Sequence, residues 1–367
     1  MSENLAFKGQ GAAKQIIKKI NLIADEIAIK QGKPIKIMHV CGTHEYTIEN
    51  SGLRSVLTSN LKVIAGPGCP VCVCPSIDIL SAMEIVKKNS VILTSFGDMM
   101  RVPVNNTCIK DLSMLGHDIR TVYGPNDAVE LAKNNHDKEI VFFSVGFETT
   151  TPLIAFELIN QPPENFSVII SNRLVPPALD ILMASPDNEL QGFILPGHVS
   201  AVIGLVAYKF LFEKYNTPMV IAGFEIQDVL TSLYRILKQL DSEQPALENT
   251  YKRVVKEEGN IKAKSVLEEC FDIVDSAWRG IGILPKSGYE LNSKYQKFDA
   301  LKRFPVSIPQ FEDTPKGCIC DKIILGKSQP NECPMFGKRC VPENPYGSCM
   351  VSHEGTCRIA HMFKQAN

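Results

Sequence analysis

Eight short apolar segments between residues 35 and 225 constrain the fold of this chain more than any other feature. Each segment is β-branched or otherwise apolar and leads into a loop that contains Gly or Pro, often with a helical pattern after it. Continuous apolar runs of this kind are typical of parallel strands that are covered on both faces. The segments are IKIMHV, LKVIAG, SVILTS, DIRTVYG, EIVFFSVGF, FSVIISN, LQGFILPGH and PMVIAGFE. Their alternation with helical patterns predicts an α/β fold.

Two α/β arrangements can use eight such units. One is a closed (β/α)₈ barrel, and the other is a pair of open parallel sheets with four strands each. Several units are only about 25 residues long and some connections are too short for a full helix, which favours two Rossmann-like sheets. In either arrangement the loops that follow the strands lie at one edge, where α/β proteins place their chemistry.

Length and composition limit the class of protein. A chain of 367 residues exceeds one ordinary core, and 44% apolar with 22% charged residues is typical of globular domains. A formal net charge of −1 provides no field for nucleic acid or anionic lipid, and no apolar run approaches the length of a membrane span. We therefore expect no nucleic-acid or membrane partner. The N-terminus lacks the apolar stretch of a secretory signal, so a cytoplasmic location is expected.

The pattern along the chain predicts three domains. Residues 12–31 have apolar positions at helical spacing and predict an amphipathic leading helix. We expect a first α/β domain at residues 34–120 and a second at 121–235. The third domain would combine residues 1–33 with 236–367. Its middle part predicts charged helices followed by irregular chain, and its end is rich in cysteine.

The first strand leads directly into a loop with a thiol and an imidazole, Cys41 and His44. Side chains three residues apart beyond a strand end can point into one cleft. Thiolate and imidazole together suit iron, copper or zinc, and they can also form a nucleophile and its base. A buried cysteine beside a capping histidine is the structural alternative. The glycine of the loop and its position after a strand favour a functional site.

The second strand leads into a C-x-x-C motif, Cys69 to Cys72, with Cys74 two residues further on. A helix is predicted to begin near Ser76. A dithiol just before a helix resembles the thioredoxin arrangement, in which the helix dipole favours the thiolate. The spacing also suits half of a zinc site. We interpret Cys69 and Cys72 as a redox dithiol and Cys74 as a spare or packing residue.

Acidic and hydroxyl-bearing loops follow other predicted strands. Asp98 lies in a Phe-Gly-Asp loop, and Glu148 lies in a Gly-Phe-Glu loop that Gly223 to Glu225 nearly repeats. Each loop alone is more often a turn with a helix cap. Together they would place a set of polar groups at one edge of the sheets. No Walker or GxGxxG phosphate loop occurs, so no motif supports a nucleotide site.

Six of the twelve cysteines lie in the last fifty residues, in a segment rich in Gly and Pro. Such a segment cannot bury enough apolar surface to fold alone and needs a metal or a cross-link. The wide, irregular spacing suits an iron–sulfur cluster, with zinc as the alternative. The simplest four-ligand set is Cys318, Cys333, Cys340 and Cys357. Spacing alone leaves Cys320 and Cys349 open as substitutes.

These loops and the cysteine-rich end closely resemble the HypD family of [NiFe]-hydrogenase maturation proteins. The motifs are HVCGTHE, GPGCPVC, FGDMMRVP, VGFETTTP, LPGHVS and AGFE. The resemblance covers nearly the whole chain. It implies two α/β domains of similar fold and a third domain with a [4Fe-4S] cluster on Cys318, Cys333, Cys340 and Cys357.

The resemblance also implies a function. The chain would be a redox-active scaffold, rather than a conventional turnover enzyme, on which an Fe(CN)₂CO group is assembled. Cys41 would bind the nascent iron together with a cysteine of a HypC-type chaperone. His44 would bind the same iron or orient the groups around it. Cys69 and Cys72 would exchange electrons with the cluster. A HypE-type partner would deliver cyanide, and the finished group would pass to the hydrogenase large subunit.

Further roles follow as hypotheses from this resemblance and from the residues. Asp98 and Glu148 could hold the cyanides through hydrogen bonds, because their loops are expected at the shared sheet edge. The main alternative is a thiol–disulfide oxidoreductase in which Cys69 and Cys72 act on protein disulfides and the tail binds zinc. A purely structural module with a zinc-bound tail is the second alternative.

Overall fold

The computed structural model describes residues 10–364. It contains strands at each of the eight predicted segments and three further strands beyond them. No helix in this described range is long and apolar enough to cross a membrane. The strands are β1 (Ile35–His39), β2 (Leu61–Ala65), β3 (Val91–Ser95), β4 (Ile119–Thr121), β5 (Glu139–Gly146), β6 (Phe166–Asn172), β7 (Gly192–Pro196), β8 (Met219–Ala222), β9 (Leu247–Asn249), β10 (Phe271–Trp278) and β11 (Gly282–Leu291).

Helices connect most of these strands, and short 3₁₀ turns occur in several loops. The leading helix, predicted at residues 12–31, begins at Gln10 and ends at Gln31. The helices are α1 (Gln10–Gln31), α2 (Gly42–Asn50), α3 (Leu53–Val56), α4 (Pro70–Val73), α5 (Ser76–Lys88), α6 (Ile109–Met114), α7 (Pro125–Asn134), α8 (Thr151–Ile159), α9 (Val175–Ala184), α10 (Gly197–Ile203), α11 (Lys209–Tyr215), α12 (Ile226–Asp241), α13 (Ile261–Cys270), α14 (Ala300–Arg303), α15 (Cys320–Ile324) and α16 (Thr356–Lys364).

The predicted strands form two open parallel sheets, which confirms the α/β fold class with two Rossmann-like sheets. The first sheet has the order β2-β1-β7-β8-β9, and the second has the order β4-β3-β5-β6. All neighbouring strands within these two sheets run parallel. Because both faces of such sheets are covered, the buried strands are continuous apolar runs. Strand β5, for example, is buried at every position after its first.

The chain divides into two compact units that each contain one sheet. Unit 1 comprises Met1–Gly68, Leu179–Asn260 and Ile359–Asn367, so far as these ranges are described. Unit 2 comprises Cys69–Ala178 and Ile261–Arg358. This division differs from the predicted boundaries, because the chain leaves unit 1 before β3 and returns to it for β7.

The difference concerns each of the three predicted domains. The range 34–120 holds strands of both sheets, and so does the range 121–235. The third predicted domain, residues 1–33 with 236–367, is shared between the units where it is described; residues 1–9 and 365–367 lie outside the described part. Short apolar runs identify strands but carry no information on which strands pair, because pairing depends on contacts between distant segments.

Unit 1 has its core between the first sheet and two long helices. Helix α1 buries an apolar stripe with a spacing of three to four residues, formed by Ile16, Ile20, Ala24 and Ile27. The stripe packs in one cluster with buried residues of α12 and the sheet. The leading helix therefore covers the sheet of unit 1 rather than the cysteine-rich end of the chain.

Unit 2 has its core between the second sheet, its helices and an antiparallel hairpin formed by β10 and β11. The sequence predicted charged helices over residues 244–275 and irregular chain after them. Only Ile261–Cys270 of that first range is a helix, and β10 begins at the next residue. The hairpin was missed because its strands have mixed exposure and include Pro285 and two glycines, which are weak strand signals.

The two sheets share one topology. Numbered within its own unit, each sheet has the strand order 2-1-3-4, and the first sheet adds a fifth strand. In a doubly wound sheet of this order the chain reverses direction between the first and third strands of the unit. Ligands bind in the crevice at this switch point, beyond the carboxyl ends of the two strands. In unit 1 these strands are β1 and β7, and in unit 2 they are β3 and β5.

Candidate functional site

Cys41 lies at the switch point of unit 1, two residues beyond the end of β1. It is the N-cap residue of α2, its backbone is extended (φ −152°), and its side chain is 8% exposed. Glu45 donates its backbone N–H to the carbonyl of Cys41 at 3.2 Å, which starts the helix. The short connection between strand and helix fixes the thiol at the crevice. A cysteine with little exposure there is suited to bind a soft metal.

Gly68 approaches the backbone of Cys41 so closely that no side chain fits. A Cβ at position 68 would lie 2.3 Å from the Cys41 nitrogen and 2.4 Å from the Val40 carbonyl carbon. The Gly68 carbonyl accepts the N–H of Gly42 at 3.3 Å. The glycine therefore lets the loop after β2 brace the loop after β1. This contact explains why a Gly-Pro-Gly sequence precedes the C-x-x-C motif.

His44 is fully buried on the first turn of α2. Its Nε2 lies 2.9 Å from the Gly223 carbonyl, and a carbonyl can only accept, so Nε2 carries the proton. Burial, together with the neighbouring His39 ring, lowers the pKa of His44 to about 3, which keeps the imidazole neutral. Its Nδ1 is buried and has no hydrogen-bond partner among residues 10–364. His44 therefore holds a bare nitrogen lone pair, the form in which imidazole binds metals.

A buried chain of His39, Glu45 and Arg54 supports this crevice and was not identified from the sequence. The Nε2 of His39 lies 2.8 Å from Glu45 Oε2, and Arg54 Nη2 donates to the same oxygen at 2.7 Å. Burial alone would raise the pKa of Glu45, but the charge of Arg54 and the hydrogen bond from His39 lower it to about 2. The sequence signal was His39, a polar residue at the end of a mostly apolar strand.

The other side of the unit 1 crevice is formed by the loop after β7. His198 is exposed there and stacks on Phe224, with ring centroids 3.9 Å apart. The ring of His44 lies 5.1 Å from the same phenyl ring. The Leu-Pro-Gly-His and Gly-Phe-Glu motifs thus meet at one switch point, as expected for loops that follow strands of one sheet.

Cys69 and Cys72 form a disulfide in unit 2. Cys69 is the N-cap of the one-turn helix α4, and its sulfur accepts the backbone N–H of Cys72 at 3.1 Å. Both side chains are buried, at 6% and 2% exposure. The predicted helix does begin at Ser76, but α4 lies before it and carries Cys72. The two thiols of the motif are therefore close enough to interconvert between a dithiol and a disulfide.

Cys74 has the properties of a packing residue. It is fully buried, and its sulfur lies 3.3 Å from the Ser171 hydroxyl. Burial, with a further contribution from Asp78, raises the pKa of this thiol to about 12. A thiol in this state is a poor nucleophile at neutral pH.

The six cysteines near the end of the chain form one group in unit 2. Cys318 and Cys320 share a hydrogen bond that raises the pKa of the first thiol and lowers that of the second. Cys349 interacts in the same way with Cys320 and Cys357. Electrostatic interactions connect Cys333 and Cys340 to this group. All of the six thiols except that of Cys318 are buried.

The surroundings of these thiols suit a thiolate-bound cluster. Gly347 forms a cradle, because a Cβ there would lie 2.8 Å from the Cys318 sulfur and 3.3 Å from that of Cys320. The backbone N–H of Tyr346 donates to the sulfur of Cys340 at 3.3 Å. Such hydrogen bonds stabilise cysteinyl sulfur that carries negative charge. The donor set and the cradle therefore fit an iron–sulfur cluster.

No group of three or more His, Cys, Asp or Glu side chains within residues 10–364 is arranged to hold a single metal ion. A four-iron cluster has a different requirement, because each of its four thiolates binds a different iron atom. The geometry leaves the choice among the six thiols open. Cys320 and Cys349 are as deeply buried as the cysteines of the simplest ligand set.

The dithiol loop and the cysteine-rich segment meet within unit 2. The hydroxyl of Ser348 donates to the Cys72 carbonyl at 3.1 Å and lies 3.9 Å from the sulfur of Cys320. The 3₁₀ turn Ser348–Met350, which contains Cys349, packs against α4. The sequence showed two distant cysteine groups, and the structure brings these two together in one compact unit.

The two predicted acidic residues lie at the switch point of unit 2. Asp98 is half-buried after β3, and Glu148 is fully buried after β5. Glu148 Oε1 accepts the N–H of Val175 at 2.9 Å, and Oε2 has no hydrogen-bond partner in the described part of the chain. Burial raises the pKa of Glu148 to about 7. This crevice thus holds two carboxyl groups, whereas the crevice of unit 1 holds a thiol and imidazoles.

The fold and these sites define a doubly wound α/β protein with a dithiol–disulfide pair and a thiol-rich module. Residues 12–364 match the HypD family, described as "Hydrogenase formation hypA family". A hydrogenase expression/formation protein of Methanocaldococcus jannaschii is 45% identical over 359 residues, which are 96% of this chain and 97% of that protein. The hydrogenase maturation factor HypD of Rhodobacter capsulatus is 39% identical over 358 residues, 96% of this chain and 95% of its own length.

HypD of Escherichia coli K12 is 38% identical over 355 residues, with 96% of this chain and 95% of that protein covered. The match of the family extends over nearly the whole chain. This chain therefore belongs to the HypD family of hydrogenase maturation factors.

Proposed function

We propose that this protein is the scaffold on which the Fe(CN)₂CO group of [NiFe]-hydrogenases is assembled. The observation that carries the proposal is the pairing of Cys41 with His44 in the crevice of unit 1. Thiolate is a soft ligand for low-spin iron, and the buried, bare Nδ1 of His44 offers a second donor from the same loop. The iron is cargo here, held for transfer to the hydrogenase large subunit.

The partners complete the coordination and supply the ligands. A HypC-type chaperone would share the iron through a cysteine of its own, and a HypE-type partner would deliver cyanide as a thiocyanate. We place this assembly in the cytoplasm, where the reducing environment keeps clustered thiols available. Support comes from membership in a family of hydrogenase maturation factors.

Cys69 and Cys72 would provide the electrons for cyanide release. A thiocyanate R–S–C≡N breaks its S–C bond when two electrons enter, and it leaves a thiolate and cyanide. Oxidation of the dithiol to a disulfide supplies those two electrons and releases two protons. A disulfide between Cys69 and Cys72 would be the oxidised product of this step, and the two sulfurs are placed to form it.

The resident cofactor in this proposal is a [4Fe-4S] cluster. Cys318, Cys333, Cys340 and Cys357 would hold it, and when bound it would supply one-electron chemistry for re-reduction of the disulfide. Ser348 supports this role, because its hydroxyl connects the Cys72 carbonyl with the cysteine-rich segment inside unit 2.

The hypothesis that Asp98 and Glu148 hold the cyanides through hydrogen bonds assumed one shared sheet edge, whereas these two residues follow strands of the second sheet and Cys41 follows a strand of the first. A carboxyl group with a pKa near 7 is partly protonated at neutral pH and can donate to a cyanide nitrogen. The test is the yield of assembled group in Asp98→Ala and Glu148→Ala variants. A yield equal to that of the wild type would remove both residues from the proposal.

The decisive experiment is Mössbauer spectroscopy on protein enriched in the iron isotope that this method detects. The protein is purified without oxygen, together with its HypC-type partner. A four-iron cluster signal plus a separate low-spin iron component is expected. Cys333→Ala should lose the cluster signal, and Cys41→Ala should lose only the low-spin component. Zinc in place of iron would overturn the proposal and favour a thiol–disulfide oxidoreductase with a zinc-bound tail.

A further inference from the structure

Unit 2 contains two buried arginines with different charge environments. Arg173 is paired with Asp78, whose carboxylate lies 2.7 Å from its Nη2. Arg279 is 2% exposed and forms no ion pair within the described part of the chain. Its Nη2 also has no hydrogen-bond partner there. A buried guanidinium is normally paired with an acid, so the buried and unpaired charge of Arg279 requires an explanation.

The position of Arg279 suggests what its charge serves. Its backbone N–H donates to the Val73 carbonyl at 2.8 Å, and its Nε donates to the Cys74 carbonyl at 2.7 Å. Val73 ends helix α4, which carries Cys72. Arg279 is thus anchored to the two residues that directly follow the second cysteine of the disulfide, to Val73 through its backbone and to Cys74 through its guanidinium.

The remaining contact of Arg279 leaves its charge largely uncompensated. Nη1 donates to the Asp313 carbonyl at 2.7 Å. The carboxylate of Asp313 instead accepts the backbone N–H of Ser76 at 2.8 Å. The Asp313 carboxylate thus forms no ion pair with Arg279, whose guanidinium donates only to carbonyl oxygens within the described part of the chain.

We propose that Arg279 is a positioning residue that sets the reduction potential of the Cys69–Cys72 pair. This inference rests on the proposed redox role of that pair. A disulfide is neutral, whereas the reduced pair gains negative charge when one thiol ionises. A buried cation that forms no ion pair favours the state that brings the negative charge, and interactions in the interior are weakly screened. Arg279 therefore stabilises the reduced dithiol.

The experiment measures an exchange equilibrium on the full chain, purified without oxygen. Reduced dithiothreitol and the Cys69–Cys72 disulfide exchange to give the protein dithiol and oxidised dithiothreitol, so that one disulfide forms as the other breaks. Alkylation after equilibration at a series of dithiothreitol ratios, followed by mass spectrometry of the peptide with both cysteines, gives the equilibrium constant. This readout needs no hydrogenase activity.

Arg279→Gln is expected to shift the equilibrium about tenfold toward the disulfide, which corresponds to about 30 mV for this two-electron couple. Arg279→Lys keeps the charge and should stay within about threefold of the wild type. The matched control is the double variant Arg173→Gln with Asp78→Asn, which changes the same loop surroundings without a change in net charge. It should also stay within about threefold.

Three results would overturn the inference. They are an equilibrium constant of Arg279→Gln within twofold of the wild type, an equal shift in Arg279→Lys, and an equal shift in the control. If Arg279→Gln does not accumulate as folded protein, Asp313→Asn decides, because loss of a nearby negative charge must shift the equilibrium the other way. A wild-type disulfide that dithiothreitol cannot reduce would instead contradict the proposed redox role.

Discussion

The two units of this protein have the same strand order but different chemistry at their switch points. In unit 1 the loops after β1 and β7 supply Cys41, His44 and His198. In unit 2 the loops after β3 and β5 supply Asp98 and Glu148. One crevice therefore offers sulfur and nitrogen ligands, and the other offers carboxyl groups. The comparison shows that the topology fixes where a site lies, whereas the residues that follow the strands decide what it can bind.

The same contrast appears in how each unit treats a buried glutamate. Glu45 of unit 1 is paired with Arg54 and His39, and its pKa is lowered to about 2. Glu148 of unit 2 accepts the backbone N–H of Val175 and forms no ion pair with any described residue, and burial raises its pKa to about 7. A paired carboxylate orients its neighbours, whereas an unpaired carboxyl group can carry a proton. Each of the following predictions tests this difference between the units.

The largest effect is expected for Cys41, the thiol that distinguishes the crevice of unit 1 from that of unit 2. Cys41→Ala should lower the hydrogenase activity of complemented cells at least about 100-fold, because no other side chain in its loop provides a soft anionic ligand. Cys270→Ala is the matched control, since Cys270 is a buried lone cysteine in unit 2 whose pKa burial raises to about 11. Full activity in Cys41→Ala would end the assignment of metal chemistry to unit 1.

The backbone contact that positions Cys41 should be the next most sensitive feature. Gly68→Ala would place a Cβ 2.3 Å from the Cys41 nitrogen, and backbone cannot move aside as a flexible side chain can. We expect a loss of about 3 kcal/mol or more in the free energy of unfolding, measured by chemical denaturation.

Gly97→Ala, in the loop after β3 of unit 2, provides the control for Gly68→Ala. Its Cβ would meet only a methyl group of Thr121 at 3.5 Å, which is an ordinary contact. Its effect should stay below about 1 kcal/mol. Equal destabilisation in both variants would show that the close approach in unit 1 has no special role.

Glu148 should give unit 2 a distinctive pH dependence. Its pKa is raised from an ordinary 4.5 to about 7, so the native state retains a proton that the unfolded chain releases. Stability should therefore fall as the pH rises from about 4.5 to 7, by up to about 3 kcal/mol. In Glu148→Gln this loss should disappear, as measured by denaturation at pH 5 and pH 8. The exposed Glu130→Gln serves as the control, and an unchanged pH dependence in Glu148→Gln would contradict the burial argument.

The smallest effect is expected for the hydroxyl that connects the dithiol loop with the cysteine-rich segment. Ser348→Ala removes the hydrogen bond to the Cys72 carbonyl and should cost about 1 kcal/mol of stability. Ser200→Ala in unit 1 removes a comparable buried contact with Tyr208 and should cost a similar amount. Only Ser348→Ala should speed the alkylation of reduced Cys72, because helix α4, which carries Cys72, loses its hydrogen bond from Ser348. Equal alkylation rates would show that Ser348 is merely structural.

Local sequence determined the elements of this protein and the positions of its reactive groups. Continuous apolar runs predicted eight of the nine strands of the two parallel sheets, because burial on both faces leaves no alternation. Cys41 and His44 follow β1 of the first sheet, whereas Asp98 and Glu148 follow β3 and β5 of the second, so the groups that were expected at one edge lie on two sheets. The composition of the cysteine-rich segment likewise predicted that it needs a metal or a cross-link to hold its fold.

Tertiary structure alone decided which of these elements belong together. The chain leaves unit 1 after Gly68 and returns at Leu179, so that Cys41 and the disulfide belong to different units although they are neighbours in sequence. Arg54 meets Glu45, and Arg279 meets the carbonyl of Cys74, across separations that no local pattern records. The reason is physical: strand pairing and the burial of charge depend on contacts between distant segments, whereas apolar runs and glycines act on the chain beside them.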